Sequence, residues 1–348
     1  MPHRNIPIFI PHLGCPNQCV FCNQHAISGC HGFDETEVRK QLEAAFADGT
    51  NAKQTEIAFF GGSFTGIDRG LMIRLLELAE TYVRGGLASS IRLSTRPDYI
   101  NDNILEILSR YSVRTVELGL QSMSDRVLEA SRRGHDAQCA RLACRAVKAA
   151  GFSLVGQMMV GLPKSTEEDE IETAQEIAAL GADAARIYPT VVFYQTPLSE
   201  AARTGEYTPL TTQEAVLRTA SVLRTFRAHD VPCIRIGLCA TEDLVSPEAV
   251  MAGPNHPALG ELVWNEVYYQ DTVAALQQAG LCGRDVELAV PTREISKVVG
   301  QHRSNLTRLL RETDTRVRKI VGKEGLSTVV PYPWHGQEKK QEEQQLCI

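Results

Sequence analysis

Between residues 6 and 240, short apolar runs alternate with longer stretches in which apolar residues recur every three or four positions. The runs are IPIFI (6–10), EIAFF (56–60), SIRLS (90–94), TVELGL (115–120), FSLVGQMMV (152–160) and AARIYPTVVF (184–193). Among the intervening stretches, Val38, Leu42, Ala45 and Phe46 share one helical face, as do Leu71, Leu75, Leu78, Ala79 and Tyr82, which is the period of an amphipathic helix. TEEDEIETAQEIAALG (166–181) opens on an acidic turn, suited to the positive end of a helix dipole. The alternation predicts six βα units and a parallel sheet with right-handed crossovers, either an open doubly wound sheet or a full or partial barrel. In both, ligands collect at the carboxyl ends of the strands. The chemically unusual residues fall at those ends. Three cysteines follow the first strand, Gly61-Gly62-Ser63 the second, Thr95-Arg96-Pro97 the third, Gln121-Ser122 the fourth and Gly161-Leu162-Pro163 the fifth.

The pattern changes after CIRIGL (233–238). Residues 241–262 are rich in Pro, Gly and His, and GPNHPALGELV (253–263) opens a helix running to 279. Residues 285–334 read as a smaller α/β appendage, and 293–323 carry nine Lys/Arg against three Asp/Glu, a net +6. The polar end, GQEKKQEEQQLCI, is expected to be disordered. The chain is thus divided into a core domain (1–240), a basic C-terminal domain (241–335) and a tail (336–348). A length of 348 residues with 43% hydrophobic and 22% charged residues is enough for a barrel with an appendage. The net charge of -6 excludes a polycation overall. No run of eighteen apolar residues occurs, so no membrane span is expected. MPHRNIPIFIPHLGC is broken by Pro7 and Pro11 and does not read as a signal peptide. A cytoplasmic location follows as the expectation, and there clustered cysteines bind metal more often than they pair.

The cysteine stretch is HLGCPNQCVFC (12–22), with Cys15, Cys19 and Cys22. Structural zinc needs four ligands; three are present, and His12, His25 or Cys30 could supply a fourth. An iron–sulfur cluster is the other reading, since thiolates hold such clusters. Three thiolates on a [4Fe–4S] cluster leave one iron open to chelate a small molecule, with Val20 and Phe21 shielding it from water. The other cysteines, Cys30, Cys139, Cys144, Cys233, Cys239, Cys282 and Cys347, form no second tight triplet. Cys233 and Cys239 flank a strand-like run and read as small hydrophobes.

Cys-x3-Cys-x2-Cys after the first strand of a βα array resembles the radical S-adenosylmethionine (SAM) superfamily, and FFGGSF (59–64) lies where that superfamily keeps a glycine-rich turn. Longer strings narrow the likeness. STRPDYI (94–100), VELGLQSMSDRVLEASRRGHD (116–136), GFSLVGQMMVGLPKST (151–166) and RIYPTVVFYQTPL (186–198) resemble the radical SAM domain of the Elongator catalytic subunit, an enzyme that modifies wobble uridine in tRNA. More distantly the chain is similar to oxygen-independent coproporphyrinogen oxidases. The resemblance covers residues 6 to 240. It implies a partial, six-stranded (β/α) barrel, a [4Fe–4S] cluster, SAM, and an external electron donor of reductase, flavodoxin or ferredoxin type, with tRNA among the implied substrates.

Carried over position by position, the resemblance makes Cys15, Cys19 and Cys22 the cluster ligands and Gly61, Gly62 and Ser63 the turn that binds SAM's amino group. Gln121 matches a ribose contact and Arg133 a partner of the SAM carboxylate, a role guanidinium suits by bidentate bonding. Gly161, with Pro163, shapes a turn near adenine. Gln157 stands where coproporphyrinogen oxidases have an acidic ribose contact, and can only hydrogen-bond. Each also has a plainer reading: a tight strand-to-helix turn for the glycines, a solvated helix residue for Arg133. Elongator subunits have a longer gap between their first two cluster cysteines and continue into an acetyltransferase domain that these 348 residues do not contain.

Three functions stay open on these grounds: a radical SAM enzyme acting on RNA, one acting on a small molecule or tetrapyrrole, and a non-enzymatic iron–sulfur protein. The basic stretch likewise has two readings. It is a solvated helix face opposite Ile295, Val298, Val299, Leu306 and Leu309, or a surface for nucleic-acid phosphates. It lacks stacking aromatics, and Gly300-Gln-His-Arg does not complete the Gly-x-x-Gly loop of a KH module.

Overall fold

The computed structural model describes residues 4–10, 13–15, 19–23, 33–47, 54–238 and 249–335. His12, His25, Cys30, Cys239, Cys347 and the segment 336–348 lie outside the described residues. The chain divides into two units, Met1–Leu259 and Gly260–Ile348.

In the first unit, strands β1 (Arg4–Ile10), β2 (Thr55–Gly61), β3 (Ser90–Thr95), β4 (Val113–Gln121), β5 (Ser153–Val160) and β6 (Ala184–Pro189) pair in parallel in that order. Their sheet curves into an open half-barrel, the expected partial (β/α) barrel. It holds seven strands rather than six, because Cys233–Ile236 pairs with β6 as a further parallel strand. Val192–Phe193 (β7) leaves the sheet and pairs antiparallel with Val250–Ala252 (β9); Cys233–Ile236 is β8. Helices α1 (Glu35–Phe46), α2 (Arg69–Arg84), α3 (Asp102–Ser109), α4 (Asp125–Ala130), α5 (Ala137–Ala149), α6 (Glu167–Ala179), α7 (Pro197–Thr204) and α8 (Thr212–Ala228) occupy the connections. Many start on a side chain that satisfies an otherwise orphaned amide: Asp34, Asp68, Asn101 and Asp136 cap α1, α2, α3 and α5. Thr166 caps the acidic α6 in a reciprocal pair with Asp169.

Alternation along each strand sorts the side chains between two faces. Ile6, Ile8, Ile10, Ile57, Phe59, Ile91, Leu93, Val116, Leu118, Leu154 and Met158 are buried on the face towards the helices. At Gly156 the approach is so close that a Cβ would lie 2.5 Å from Ile177 Cγ2 of α6. The opposite face carries charge. Glu56 takes a 2.6 Å bond from Ser90 Oγ and pairs with Arg92 at 2.8 Å. Arg92 also reaches Glu117 at 2.8 Å, and Glu117 pairs with Arg186 at 2.8 Å. Arg186 lies 5.3 Å over the Phe60 ring. Four charges, two buried carboxylates and two nearly buried guanidinium groups, thus tie β2, β3, β4 and β6 together, each balanced because an isolated one could not be buried.

The second unit holds most of α9 (Leu259–Gln278), then β10 (Asp285–Pro291), α10 (Ile295–Val299), α11 (Ser304–Thr313), β11 (Arg316–Lys323) and β12 (Val330–Pro333). Its sheet order is β11-β10-β12, with β10 and β11 parallel and β12 antiparallel. Tyr268, Tyr269, Leu276, Val286, Leu288, Val290, Val298 and Leu309 form its own core.

Candidate functional site

The carboxyl ends of β1 to β5 meet around the cysteine loop. Gly62 N–H donates to Ile10 O at 2.7 Å and Ser63 N–H to Leu13 O at 3.1 Å, so the turn after β2 is laced to the loop after β1. No side chain fits between them. A Cβ on Gly62 would lie 2.1 Å from Leu13 O, and one on Gly14 (φ +72°) 2.3 Å from Ser63 O. Those glycines are required by backbone contact. Ser63 is fully buried and its Oγ shares a 2.8 Å bond with Thr95 Oγ1 while accepting from Arg96 N–H at 3.2 Å. Thr65 Oγ1 completes the set with a 2.7 Å bond to Thr95. The ends of β2 and β3 are therefore locked by hydroxyls.

Cys19 is buried and Cys15 and Cys22 are half-buried. Cys22 N–H donates to Cys19 O at 3.1 Å. Val20 and Phe21 pack with Val127, Leu162, Val192 and Leu198, and Val20 N–H donates to Ser131 O at 3.2 Å. Arg133, 5% exposed, spans the site: Nη1 donates to Cys19 Sγ at 3.2 Å and Nη2 to Gly119 O at 2.5 Å. Gln121 ends β4 in the left-handed region (φ +69°), where a bulge interrupts pairing with β5. Burial is the largest influence on the Cys15 thiol and raises its pKa, with Cys19 adding to the rise and Arg96 and Arg133 opposing it.

Arg96 belongs to this site although its sequence position gave it no role. It is 4% exposed, forms a bidentate pair with Asp98 at 2.9 and 2.9 Å, and donates to Arg133 O. Burial alone would lower its pKa, yet the Asp98 pair raises it. The signal present in the sequence was Thr95-Arg96-Pro97 at a strand end; Asp98 and the burial are what mark it.

The remaining expected residues stand further along the edge. Gln157 is half-buried on β5, in register between Gly119 and Arg186. Gly161 (φ +78°) is buried, its N–H bonded to Glu170 at 2.6 Å and its carbonyl to Tyr207 Oη at 2.7 Å. A Cβ there would lie 2.6 Å from Leu210 Cδ1, so packing alone explains this glycine. Of the other cysteines, Cys144 is buried in α5 with its thiol pushed up to about 12 by burial, and Cys233 is pushed up to about 11 for the same reason. Neither is poised to act as a thiolate.

Three buried polar atoms at the site have no partner among the described residues: Arg96 Nη1, Arg133 Nε and Gln121 Oε1. An unmade buried hydrogen bond costs about 1–3 kcal/mol, and a polar ligand here would satisfy these atoms. The donor set suits a cluster more than a single ion. Its three thiols, on one loop, can give one thiolate each to three irons of a cubane, whereas a single structural zinc needs a fourth ligand. Two guanidinium groups beside the thiols suit both an anionic cluster and a carboxylate.

The Radical SAM superfamily matches residues 9–177, and the Radical_SAM C-terminal domain follows at 182–269. The chain belongs to the radical SAM superfamily. Radical SAM enzymes use a [4Fe–4S] cluster and SAM, and these are the cofactors of this chain, which is an enzyme. Among similar proteins, an uncharacterized protein of Methanocaldococcus jannaschii is 27% identical over 263 residues, covering 72% of this chain and 78% of that protein. Elongator complex protein 3 of Schizosaccharomyces pombe is 25% identical over 268 residues, covering 64% of this chain. The chain spans about half the length, 47%, of that protein. The solved structure of the archaeal Methanocaldococcus infernus Elp3, with its N-terminus deleted, matches with a TM-score of 0.59 at 19% identity, covering 82% of this chain and 66% of that chain. That likeness shows the radical SAM fold. Among the described residues no helix is long and apolar enough to cross a membrane.

Proposed function

We propose that this radical SAM enzyme acts on RNA, with tRNA the class implied by its resemblance to the Elongator catalytic subunit. The observation that carries the catalytic half of this reading is Arg133, buried between Cys19 Sγ and Gly119 O beside unpartnered groups of Arg96 and Gln121. When bound, the cluster and SAM supply one-electron cleavage of a sulfonium and so start radical chemistry.

The chain's own residues hold and shield those groups. Cys15, Cys19 and Cys22 would hold the cluster through their thiolates. Arg133, with Arg96 behind it, takes the SAM carboxylate. The Gly61-Gly62-Ser63 turn takes the amino group through its backbone, since Ser63 Oγ is already engaged by Thr95 and Arg96. Gln121 meets the ribose, Gln157 offers only a hydrogen bond deeper in the barrel, and Gly161 sets the turn near adenine. Val20, Phe21, Leu162 and Leu198 keep water out, as radical chemistry requires. An external electron donor of reductase, flavodoxin or ferredoxin type delivers the electron.

Anaerobic reconstitution with iron and sulfide, then dithionite and SAM, tests the catalytic half: 5′-deoxyadenosine and methionine are expected, and their absence from a chain that has taken up iron would refute it. Comparing tRNA nucleosides from the host with and without this chain tests the substrate. Unchanged nucleosides beside an altered metabolite would replace RNA with a small molecule.

A further inference from the structure

In the second unit β10 passes through α10, a four-residue turn and α11 into β11, which lies parallel beside β10. KH modules clamp single strands with a Gly-x-x-Gly loop, and here a four-residue turn that opens on Gly300 joins two helices between two strands of one small sheet. The sequence Gly300-Gln301-His302-Arg303 lacks the second glycine, yet the backbone supplies its conformation. Arg303 is left-handed (φ +63°), as is His302 (φ +51°). A left-handed residue with a side chain costs roughly 1–2 kcal/mol, and here it leaves an exposed guanidinium on the turn. Gly300 is held by close contact, since a Cβ would lie 2.5 Å from Ser304 Oγ. Asn305, buried, donates to Asn265 O at 2.8 Å and Lys297 O at 3.2 Å and so fixes the turn against both helices.

Charge around the turn is uneven. Lys297, Arg308, Arg311, Arg318 and Lys319 are paired with acidic side chains. Arg293, Arg303 and Lys323 are exposed and have no acidic partner among the described residues. Arg293 follows β10 and Lys323 ends β11 opposite Pro291, so both lie at one end of the parallel pair. Between them, Ile295 Cδ1 sits only 3.1 Å from where a Cβ on Gly322 would be, an apolar floor between α10 and β11. The outer edge of β11 pairs with no strand among the described residues.

We propose that the second unit binds a single-stranded polynucleotide, its phosphodiester backbone crossing the Gly300–Arg303 turn between Arg303, Arg293 and Lys323, its bases lying over Ile295 towards the β11 edge. This extends the RNA-directed reading above to a particular surface, and its test separates the two.

The test uses the full chain and fluorescence anisotropy with labelled single-stranded RNA of about eight nucleotides, twice the four such a turn clamps, with DNA of the same sequence and an RNA duplex beside it. Gln301→Asp/His302→Asp places two negative charges on exposed positions of the turn, and Asp tolerates the left-handed conformation. Gln277→Asp/Gln278→Asp makes the same charge change on exposed positions at the end of α9. The turn variant is expected to weaken single-strand binding about tenfold or more and to flatten its salt dependence, with the α9 variant within about twofold of the parent. RNA preferred over DNA, or both bound alike, upholds the proposal and states whether the sugar is read. No single-strand binding, tighter binding to the duplex, or a turn variant that binds like the parent overturns it. 5′-Deoxyadenosine formation from SAM is measured on the same samples: if the parent binds no strand but cleaves SAM, this surface assignment falls alone, and if it binds but does not cleave, the catalytic reading falls alone.

Discussion

Replacing Glu117 by Gln tests the charged interior of the barrel. Glu117 is 1% exposed in its side chain and sits between two guanidinium groups that are themselves nearly buried, Arg92 at 11% and Arg186 at 12%. It accepts from Arg92 Nη1 at 2.8 Å and from Arg186 Nη2 at 3.0 Å. An amide keeps the shape but faces one guanidinium with N–H groups. Arg92 retains Glu56, whereas among the described residues Arg186 keeps no other carboxylate partner and has the Tyr188 hydroxyl at 3.3 Å. Breaking a buried pair in this way costs about 3–5 kcal/mol, because the surviving charge stays desolvated. For a unit of this size each kcal/mol lowers Tm by about 2–4 °C, so a fall of roughly 6–20 °C is expected by differential scanning calorimetry. Glu200→Gln is the comparison: Glu200 and Arg203 are 60% and 69% exposed, and such pairs contribute at most about 1 kcal/mol. The double change Glu117→Met/Arg186→Met removes both charges and should recover much of the loss. If Glu117→Gln melts within about 2 °C of the parent, the network is not what holds β4 to β6 and the reasoning fails.

Gly62→Ala drives a Cβ to 2.1 Å from Leu13 O; since the obstacle is backbone, the cysteine loop must move, and reconstituted iron per chain should fall sharply while the far-ultraviolet spectrum holds. Full iron loading in that variant would show the loop to be looser than drawn. Arg133→Lys keeps the charge but loses the fork that reaches Cys19 and Gly119 together, so SAM affinity by equilibrium dialysis should fall about tenfold or more, with unchanged affinity counting against a carboxylate contact. Burial, aided by Arg133, lowers the His135 pKa to about 4. Its folded value lies below the unfolded one, so its contribution is present above pH 6.5 and is lost as pH falls towards 4. Melts across that window should show up to about 3 kcal/mol of acid-linked loss, which His135→Gln should flatten; an identical pH profile in that variant would remove the assignment.

The alternation of apolar runs and amphipathic stretches was enough to place six parallel strands and to predict that Cys15, Gly62, Gln121 and Gly161 lie along one edge of one sheet. Those inferences rest on short-range facts: the periods of strand and helix, the spacing of three thiols, a glycine pair after a strand. Arg96 shows where such reasoning stopped. Its strand-end position was legible, but its value as a buried cation depends on Asp98 and on the carbonyl of Arg133, which is 37 positions away. The seventh strand was legible as a strand-like run after Cys233, but its place in the sheet was not, because four residues join it only where β6 offers a pairing edge.

What the amino-acid order determined alone was most of the secondary elements, the parallel sheet they build, and the kind of chemistry its cysteines can support. Only the folded chain decided that Glu56, Arg92, Glu117 and Arg186 neutralise one another, that Arg96 stands behind Arg133, and that Arg303 bends as a glycine does. Periodicity is set by neighbours a few residues apart, but the burial of a charge and the sign of a backbone angle depend on contacts between residues far apart in sequence.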